Sequence, residues 1–188
     1  MASGDVARTI RAPGRLVINP TQAFDGGTFP YGGTEIGNVN QMMLLPLGTG
    51  FRVEYEALGE AGDVLEAGNE YIVSCFLHGW DDDAVALALT AGAEVGAVSG
   101  HGVYYEPGSA TPGASAYEAR KRVVAYIPDD PIHVPGILLY AAIPDWDASA
   151  ELAFQRNAVL GIPLAFDCLR DAAGDILRVG RIVDLALP

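Results

Sequence analysis

The sequence predicts a mainly-β fold of many short strands, and two features of its composition carry that prediction. With 23 Gly and 12 Pro, turn residues punctuate the whole chain, which is typical of short strands rather than long helices. Half of the 188 residues are hydrophobic, enough for a chain of this length to bury a real core. No internal repeat or domain boundary is evident, so we expect one domain over residues 1–188.

The first strands are predicted on either side of a glycine-rich loop. Residues 15–19 and 39–47 have the apolar character of extended segments. The stretch 25–33 between them carries too much glycine for a strand interior and predicts a loop. The residues before the first strand, 1–14, are predicted to form an N-terminal arm.

A long acidic hairpin is predicted next. Charged and apolar residues alternate with period two at 52–58, and in part at 70–76, which indicates half-buried strands. The segment 59–69 between them ends in Gly68-Asn69, a turn signal, so we expect it to form the tip. The carboxylates of this region are Glu54, Glu56, Glu60, Asp63, Glu66 and Glu70.

One helix is predicted, at about residues 81–91. Asp81, Asp82 and Asp83 precede a run of alanine and leucine. An aspartate caps free backbone amides, and negative charge suits the positive end of the helix dipole. Gly92 is expected to end the helix.

The segment 91–116 is rich in Gly, Ser, Ala and Pro without sustained periodicity, so we expect a long loop. Tyr104 and Tyr105 in it are candidate anchors for a neighbouring subunit, or for packing against the loop's own domain. Strands are predicted beyond it at 122–127, 136–143, 150–155, 162–169 and 176–183. The polar connection 170–175 predicts a hairpin between the last two.

The charge of the chain is strongly negative and unevenly distributed. Eleven Lys and Arg face 24 Asp and Glu, giving a net charge of −13, which disfavours binding to phosphate backbones. No Lys or Arg occurs between Arg52 and Arg120, so we expect one strongly anionic face. The N-terminal arm and first strand carry the opposite charge on Arg8, Arg11 and Arg15.

The longest apolar stretches, such as 135–144, are far shorter than the ~20 residues of a membrane-spanning helix. The first residues also lack the apolar core of a signal peptide. We therefore expect a soluble protein of cytoplasmic origin. Cys75 and Cys168 each lie in an apolar run, which predicts reduced, buried thiols.

No constellation of residues predicts catalysis, a cofactor or a metal site. The segment His78–Asp83 is the densest cluster of metal-ligand types, but its spacing matches neither a calcium loop nor a zinc site, and helix capping accounts for the three aspartates. His101 and His133 are isolated along the chain. We therefore predict a protein that is not an enzyme, with a metal-binding module or small β-barrel enzyme as the alternative.

The order of these elements resembles the tail tube proteins of tailed bacteriophages. An extended start leads through a Gly-rich turn into Pro30-Tyr31-Gly32-Gly33-Thr34-Glu35-Ile36-Gly37. The acidic hairpin, an aromatic-rich strand, one helix and further strands follow, and these end in Pro163-Leu164-Ala165-Phe166-Asp167-Cys168-Leu169-Arg170-Asp171. The resemblance covers roughly residues 15–185 and consists of element order and residue type.

This resemblance implies a β-sandwich or partly closed β-barrel with one flanking helix. It also implies hexameric rings of this chain that stack into a tube in the virion tail, through which DNA passes without specific binding. The implied partners are tape measure, terminator and baseplate proteins, and in some tails a sheath. A tail terminator, a head-to-tail connector or another virion component is the alternative within the same class.

Overall fold

The computed structural model describes residues 13–22, 24, 31–55, 60–78, 83, 85, 87, 94–98, 102–106, 113, 115–131, 133–146 and 161–188. Strands dominate this part of the chain, so the predicted mainly-β class is confirmed. The strands are β1 (Gly14–Ile18), β2 (Thr34–Tyr55), β3 (Glu60–His78), β4 (Glu94–Val98), β5 (Gly102–Glu106), β6 (Arg122–Pro128), β7 (Gly136–Trp146), β8 (Gly161–Leu169) and β9 (Leu177–Gly180). A short helix, α1 (Ala116–Arg120), precedes β6, and a 3-10 helix, Ile182–Asp184, follows β9.

Six strands close into a barrel. The hydrogen-bonded order is β6-β1-β2-β3-β8-β7, and β6 also pairs with β7, which completes the ring. The resemblance implied a sandwich or a partly closed barrel, whereas the described strands form a closed one. Closure removes the unpaired strand edges that an open sheet presents to other chains.

Apolar side chains fill the inside of the barrel. Within the barrel, alternate side chains of the strands point inward where they are described, as in β8, where Ile162, Leu164 and Phe166 are fully buried. Cys75 and Cys168 belong to this interior cluster as buried, reduced thiols, as the sequence predicted. Burial of these side chains supplies the main driving force for closing the sheet.

A second apolar layer covers part of the outside of the barrel. It consists of outward-facing residues of β1, β6 and β7 and of residues from two connecting segments, namely Val17, Ala125, Ile127, Leu138, Tyr140, Phe24, Tyr31 and Ile182. Phe24 and Tyr31 meet edge to face, with ring centroids 5.2 Å apart. This outer face is therefore packed rather than exposed to water.

The predicted hairpin between the last two strands is wrong. Both β8 and β9 pair with β7, with Leu169 opposite Ala141 and Leu177 opposite Leu139, so β9 resumes the line of β8. The carboxylate of Asp171 accepts hydrogen bonds from the amides of Ala173 (2.9 Å) and Asp175 (2.8 Å). The connection thus folds on itself and returns the chain to the same line.

The predicted boundaries of the acidic hairpin are also wrong. Residues 39–47 and 52–58 were expected to be separate strands, but β2 runs continuously through residue 55. Residues 60–69, the expected tip, belong to β3. The turn signal Gly68-Asn69 lies inside β3, where the two residues pair with Thr49 and Gly48. The register shifts between Thr49 and Gly50, so the strands accommodate these glycines by an irregularity and do not turn.

Helical residues lie where the helix was predicted, and a second helix was not foreseen. Asp83, Val85 and Leu87 are helical, and Val85 is buried against the barrel interior. Within the expected loop 91–116, β4 and β5 pair to form a separate two-stranded sheet. The helix α1 begins after Ser115, whose hydroxyl accepts a hydrogen bond from the Glu118 amide.

Candidate assembly surface

The hairpin β2–β3 extends beyond the barrel. β1 pairs with β2 as far as Val39, and β8 pairs with β3 from Tyr71 to His78. In the described part of the chain, residues 47–55 and 60–70 pair only with each other, from Leu47 opposite Glu70 to Tyr55 opposite Glu60. We call this two-stranded segment the ribbon; at ~3.3 Å per residue it is roughly 25 Å long.

Within the part of the chain that the structure describes, both edges of the ribbon are unpaired. A two-stranded hairpin in water is at best marginally stable, because it has no third strand or packed layer to bury its apolar side chains. Each free edge also leaves a row of backbone N–H and C=O groups available to another chain. Ribbons of this kind gain stability by contact with a neighbouring surface.

The predicted acidic residues lie along this ribbon. Glu54 lies on β2, and Glu60, Asp63, Glu66 and Glu70 lie on β3. In the register of the two strands, Tyr55 lies opposite Glu60 and Val53 lies opposite Asp63. Glu54 of β2 therefore lies at the same end of the ribbon as Glu60 and Asp63 of β3. Glu70 is exposed where the ribbon joins the barrel, and Glu56 lies outside the described residues.

Large apolar side chains are exposed where the ribbon leaves the barrel. Met43 is 51% exposed and Leu45 is 54% exposed on β2, and Phe76 is 38% exposed on β3. Met43 lies opposite Ser74 and Leu45 opposite Ile72, so these residues share the outer face of the sheet with Phe76. We call Met43, Leu45, Ile72 and Phe76 the base patch.

The base patch contrasts with the other side of the barrel. There, Ile182 is fully buried in the outer apolar layer, and the hydroxyl of Tyr140 donates a hydrogen bond of 3.1 Å to the Ala186 carbonyl. Clustered exposed apolar side chains, unlike isolated ones, mark surfaces that contact other molecules. The sequence analysis missed the base patch, although the run Met42-Met43-Leu44-Leu45 is continuously apolar and leaves no polar face on this strand.

The basic residues of the N-terminal region are only partly described. Arg8 and Arg11 lie outside the described residues. Arg15 lies in β1, and its guanidinium forms a 2.9 Å ion pair with Glu35 of β2. Arg15 therefore has a carboxylate partner within its own chain. The predicted N-terminal arm ends earlier than expected, because Gly14 already pairs with Val39 and Pro128 as part of β1.

The remaining predicted positions are spread over other elements. Tyr104 and Tyr105 lie in β5, opposite Gly96 and Val95, so the backbone of this segment is ordered by pairing within the chain. Asp83 is exposed and lies within a helix, so it is not the residue that precedes the first turn. Asp81 and Asp82 lie outside the described residues.

The histidines are not gathered with other metal-ligand types in the described part of the chain. His78 is exposed at the end of β3, and His133 pairs with Asp130 at 2.9 Å in an exposed turn. Groups of three or more His, Cys, Asp or Glu side chains placed to hold a metal ion are not found among the described residues. His101 lies outside them.

Among the described residues, no helix has the length and apolar character that a membrane crossing requires. Comparison of the chain with protein-family models and with curated protein sequences finds no match. Function is therefore inferred from the geometry of the barrel, the ribbon and the base patch.

Proposed function

We propose that this chain is a non-enzymatic structural subunit that assembles with copies of itself into hexameric rings, which stack as the tail tube of a bacteriophage. The protein is made in the bacterial cytoplasm and becomes part of the virion. Its further partners are the tape measure, terminator and baseplate proteins, and in a contractile tail a sheath. The tail tube family is suggested by the resemblance in element order. The ribbon and the base patch give this assignment its physical support.

The observation that carries the proposal is the ribbon, both edges of which are unpaired among the described strands. A closed barrel needs no partner to complete the backbone hydrogen bonds of its strands, whereas the ribbon pairs with no third strand in the described part of the chain. Another copy that packs against the ribbon buries its apolar side chains and engages its free backbone groups. The base patch supplies apolar contact at the point where the ribbon begins.

The charge of the ribbon suits a conduit for DNA. Residues 53–70 contain six carboxylates and no Lys or Arg, as Glu54, Glu56, Glu60, Asp63, Glu66 and Glu70. Arg52 is the one Lys or Arg of the ribbon, so a wall of such segments offers few cations to hold phosphates, and DNA slides past without binding. Copies with a net charge of −13 repel one another, and added salt screens that repulsion. Apolar contact is therefore expected to supply most of the adhesion.

Assembly of the purified protein tests the proposal. We expect negative-stain microscopy to show rings and tubes, and sedimentation to show assembly that increases with protein concentration. A variant in which Asn-Gly replaces residues 48–69 joins the register partners Leu47 and Glu70 by a two-residue turn and removes the ribbon. This variant is expected to fold as a monomer and to form no rings.

A second pair of variants separates apolar adhesion from general loss of hydrophobic surface. Met43→Ser with Leu45→Ser removes two side chains of the base patch, and Val179→Ser with Val183→Ser removes two exposed side chains elsewhere. Only the first variant is expected to need a higher concentration to assemble. A wild-type protein that stays monomeric at every salt and protein concentration contradicts the proposal, and rings that never stack favour a terminator or connector.

A further inference from the structure

Four cationic residues lie near one another where α1 meets the start of β6 and the end of β8. Arg120 ends α1, Lys121 follows it and Arg122 begins β6, so three of them are consecutive. The hydroxyl of Tyr117 in α1 donates a hydrogen bond of 3.2 Å to the carbonyl of Arg170, which follows β8. We call Arg120, Lys121, Arg122 and Arg170 the basic cluster.

The basic cluster has no carboxylate partner within the described part of the chain. Lys121 places its Nζ 4.3 Å from the centroid of the Tyr117 ring. Arg122 donates to the Lys121 carbonyl and Arg170 donates to the Gly174 carbonyl. The Nε of Arg120 is buried without a hydrogen-bond partner.

The other arginines whose side chains the structure describes each form an ion pair with a carboxylate. Arg15 pairs with Glu35 at 2.9 Å, Arg178 pairs with Asp175 at 3.1 Å, and Arg181 pairs with Asp184 at 2.7 Å. In a chain with 24 acidic and 11 basic residues, four neighbouring cationic residues that form no ion pair with a described carboxylate are an unusual arrangement. Within the described part of the chain, these charges are therefore available to a carboxylate of another molecule.

The position of the cluster excludes the tip of the subunit's own ribbon as that anion. Arg122 lies opposite Ala142, Ala142 lies opposite Cys168, and Cys168 lies opposite Tyr71, so the cluster is at the level where the ribbon leaves the barrel. The tip of the same ribbon is roughly 25 Å farther along, at ~3.3 Å per residue.

We propose that the basic cluster receives the acidic ribbon of a second copy of this chain. This inference rests on the proposed function, because it names the surface that one copy offers to the next. The observation that selects the occupant is charge complementarity, since the ribbon carries Glu54, Glu60, Asp63, Glu66 and Glu70, and no Lys or Arg lies between Arg52 and Arg120. Ribbon and cluster are different patches, so the contact is heterologous and produces a closed ring or a filament.

Two charge-removal variants with equal net charge test the contact. Lys121→Gln with Arg170→Gln removes two exposed charges of the cluster, and Arg178→Gln with Arg181→Gln removes two exposed charges outside it. Arg120 is left intact because its Nε is buried. The first variant is expected to raise the concentration needed for assembly at least tenfold, and the second to change it less than threefold. Equal behaviour of the two variants overturns the inference.

A charge swap gives a sharper test. Lys121→Glu with Arg170→Glu reverses two charges of the cluster, and separately Glu66→Lys with Glu70→Lys reverses two charges of the ribbon, so the substituted residues of each variant face like charge on an identical copy. Each variant alone is expected to fold, by circular dichroism, and to fail to assemble. An equimolar mixture restores opposite charges at every contact and is expected to co-assemble. A mixture that remains unassembled, while wild type forms rings, contradicts the contact and leaves the proposed function standing.

Binding of nucleic acid is the competing outcome for a basic cluster. Duplex DNA is therefore titrated against wild type and against Lys121→Gln with Arg170→Gln at low salt. The inference expects no DNA binding that depends on the cluster. If these substitutions abolish DNA binding and leave self-assembly unchanged, the anion is DNA and the inference is wrong. If wild type never assembles, the proposed function fails instead.

Discussion

The ring of Phe76 on β3 lies over the backbone of Gly161 on β8, in the space where any other residue carries its Cβ. A Cβ at Gly161 would collide with two ring carbons of Phe76. The glycine thus leaves room for the aromatic side chain of the base patch to pack against the neighbouring strand.

Replacement of Gly161 by Ala is therefore expected to displace the Phe76 ring. Because the ring is 38% exposed and has room to move, the expected loss is about 1 kcal/mol of unfolding free energy. In a Phe76→Ala background the same replacement is expected to cost less, since the collision is gone. Denaturant unfolding of the four proteins measures the coupling, and simple additivity would show that the two residues do not interact.

The 3-10 helix provides a matched pair of neighbouring positions for the outer apolar layer. Ile182 is fully buried, whereas Val183 is 38% exposed. Ile182→Ala is expected to destabilise the protein by ~2–5 kcal/mol, the usual cost of deleting a buried aliphatic side chain. Val183→Ala is expected to change stability by less than ~0.5 kcal/mol. Thermal unfolding of both variants checks this, and similar losses would mean that the outer layer contributes little.

Tyr140 joins β7 to the C-terminal segment through its hydrogen bond to Ala186. Tyr140→Phe removes that bond and is expected to cost about 1 kcal/mol at neutral pH. Burial raises the pKa of Tyr140 above 10.0, an effect to which Asp175 and Asp171 add and which Arg178 opposes.

The raised pKa gives this residue a defined pH dependence. The folded state holds the phenol proton more tightly than the unfolded chain, so the contribution is complete below pH 10 and declines as pH rises above it. The difference in unfolding free energy between wild type and Tyr140→Phe should therefore shrink above pH 10. A difference that grows in that range would contradict the assigned burial.

The thiol of Cys168 is expected to be unreactive in the folded protein. Burial, with the nearby charge of Asp167 adding to it, raises the pKa of this thiol to about 12, although a backbone hydrogen bond at Val73 acts the other way. At pH 8 roughly one molecule in ten thousand then carries the thiolate, the reactive species. Mass spectrometry after alkylation should find Cys168 unmodified in native protein and modified in denaturant. Rapid labelling of the native protein would show that this part of the barrel opens.

The candidate surface was predictable only in part. Period-two alternation and the uneven charge correctly indicated a hairpin rich in Glu and Asp, because both signals are local in sequence. The base patch escaped prediction, since exposure of Met43 and Leu45 depends on which strands end beside them. The basic cluster escaped it as well, because Arg170 is brought near Lys121 by strand pairing through β7 and by contact with Tyr117, both of which join residues far apart in the chain.

The sequence by itself determined the mainly-β class, the position of β1, β6, β7 and β8, the helical conformation at Asp83, Val85 and Leu87, and the buried cysteines. These follow from apolar periodicity and turn residues, which act over a few neighbouring positions. Only the tertiary structure decided that β6 pairs with β7 to close the barrel, that β9 continues the line of β8, and that β2 runs unbroken to Tyr55. Strand pairing joins residues far apart in the chain, so a glycine that resembles a turn signal locally becomes a strand residue once a partner strand supplies its hydrogen bonds.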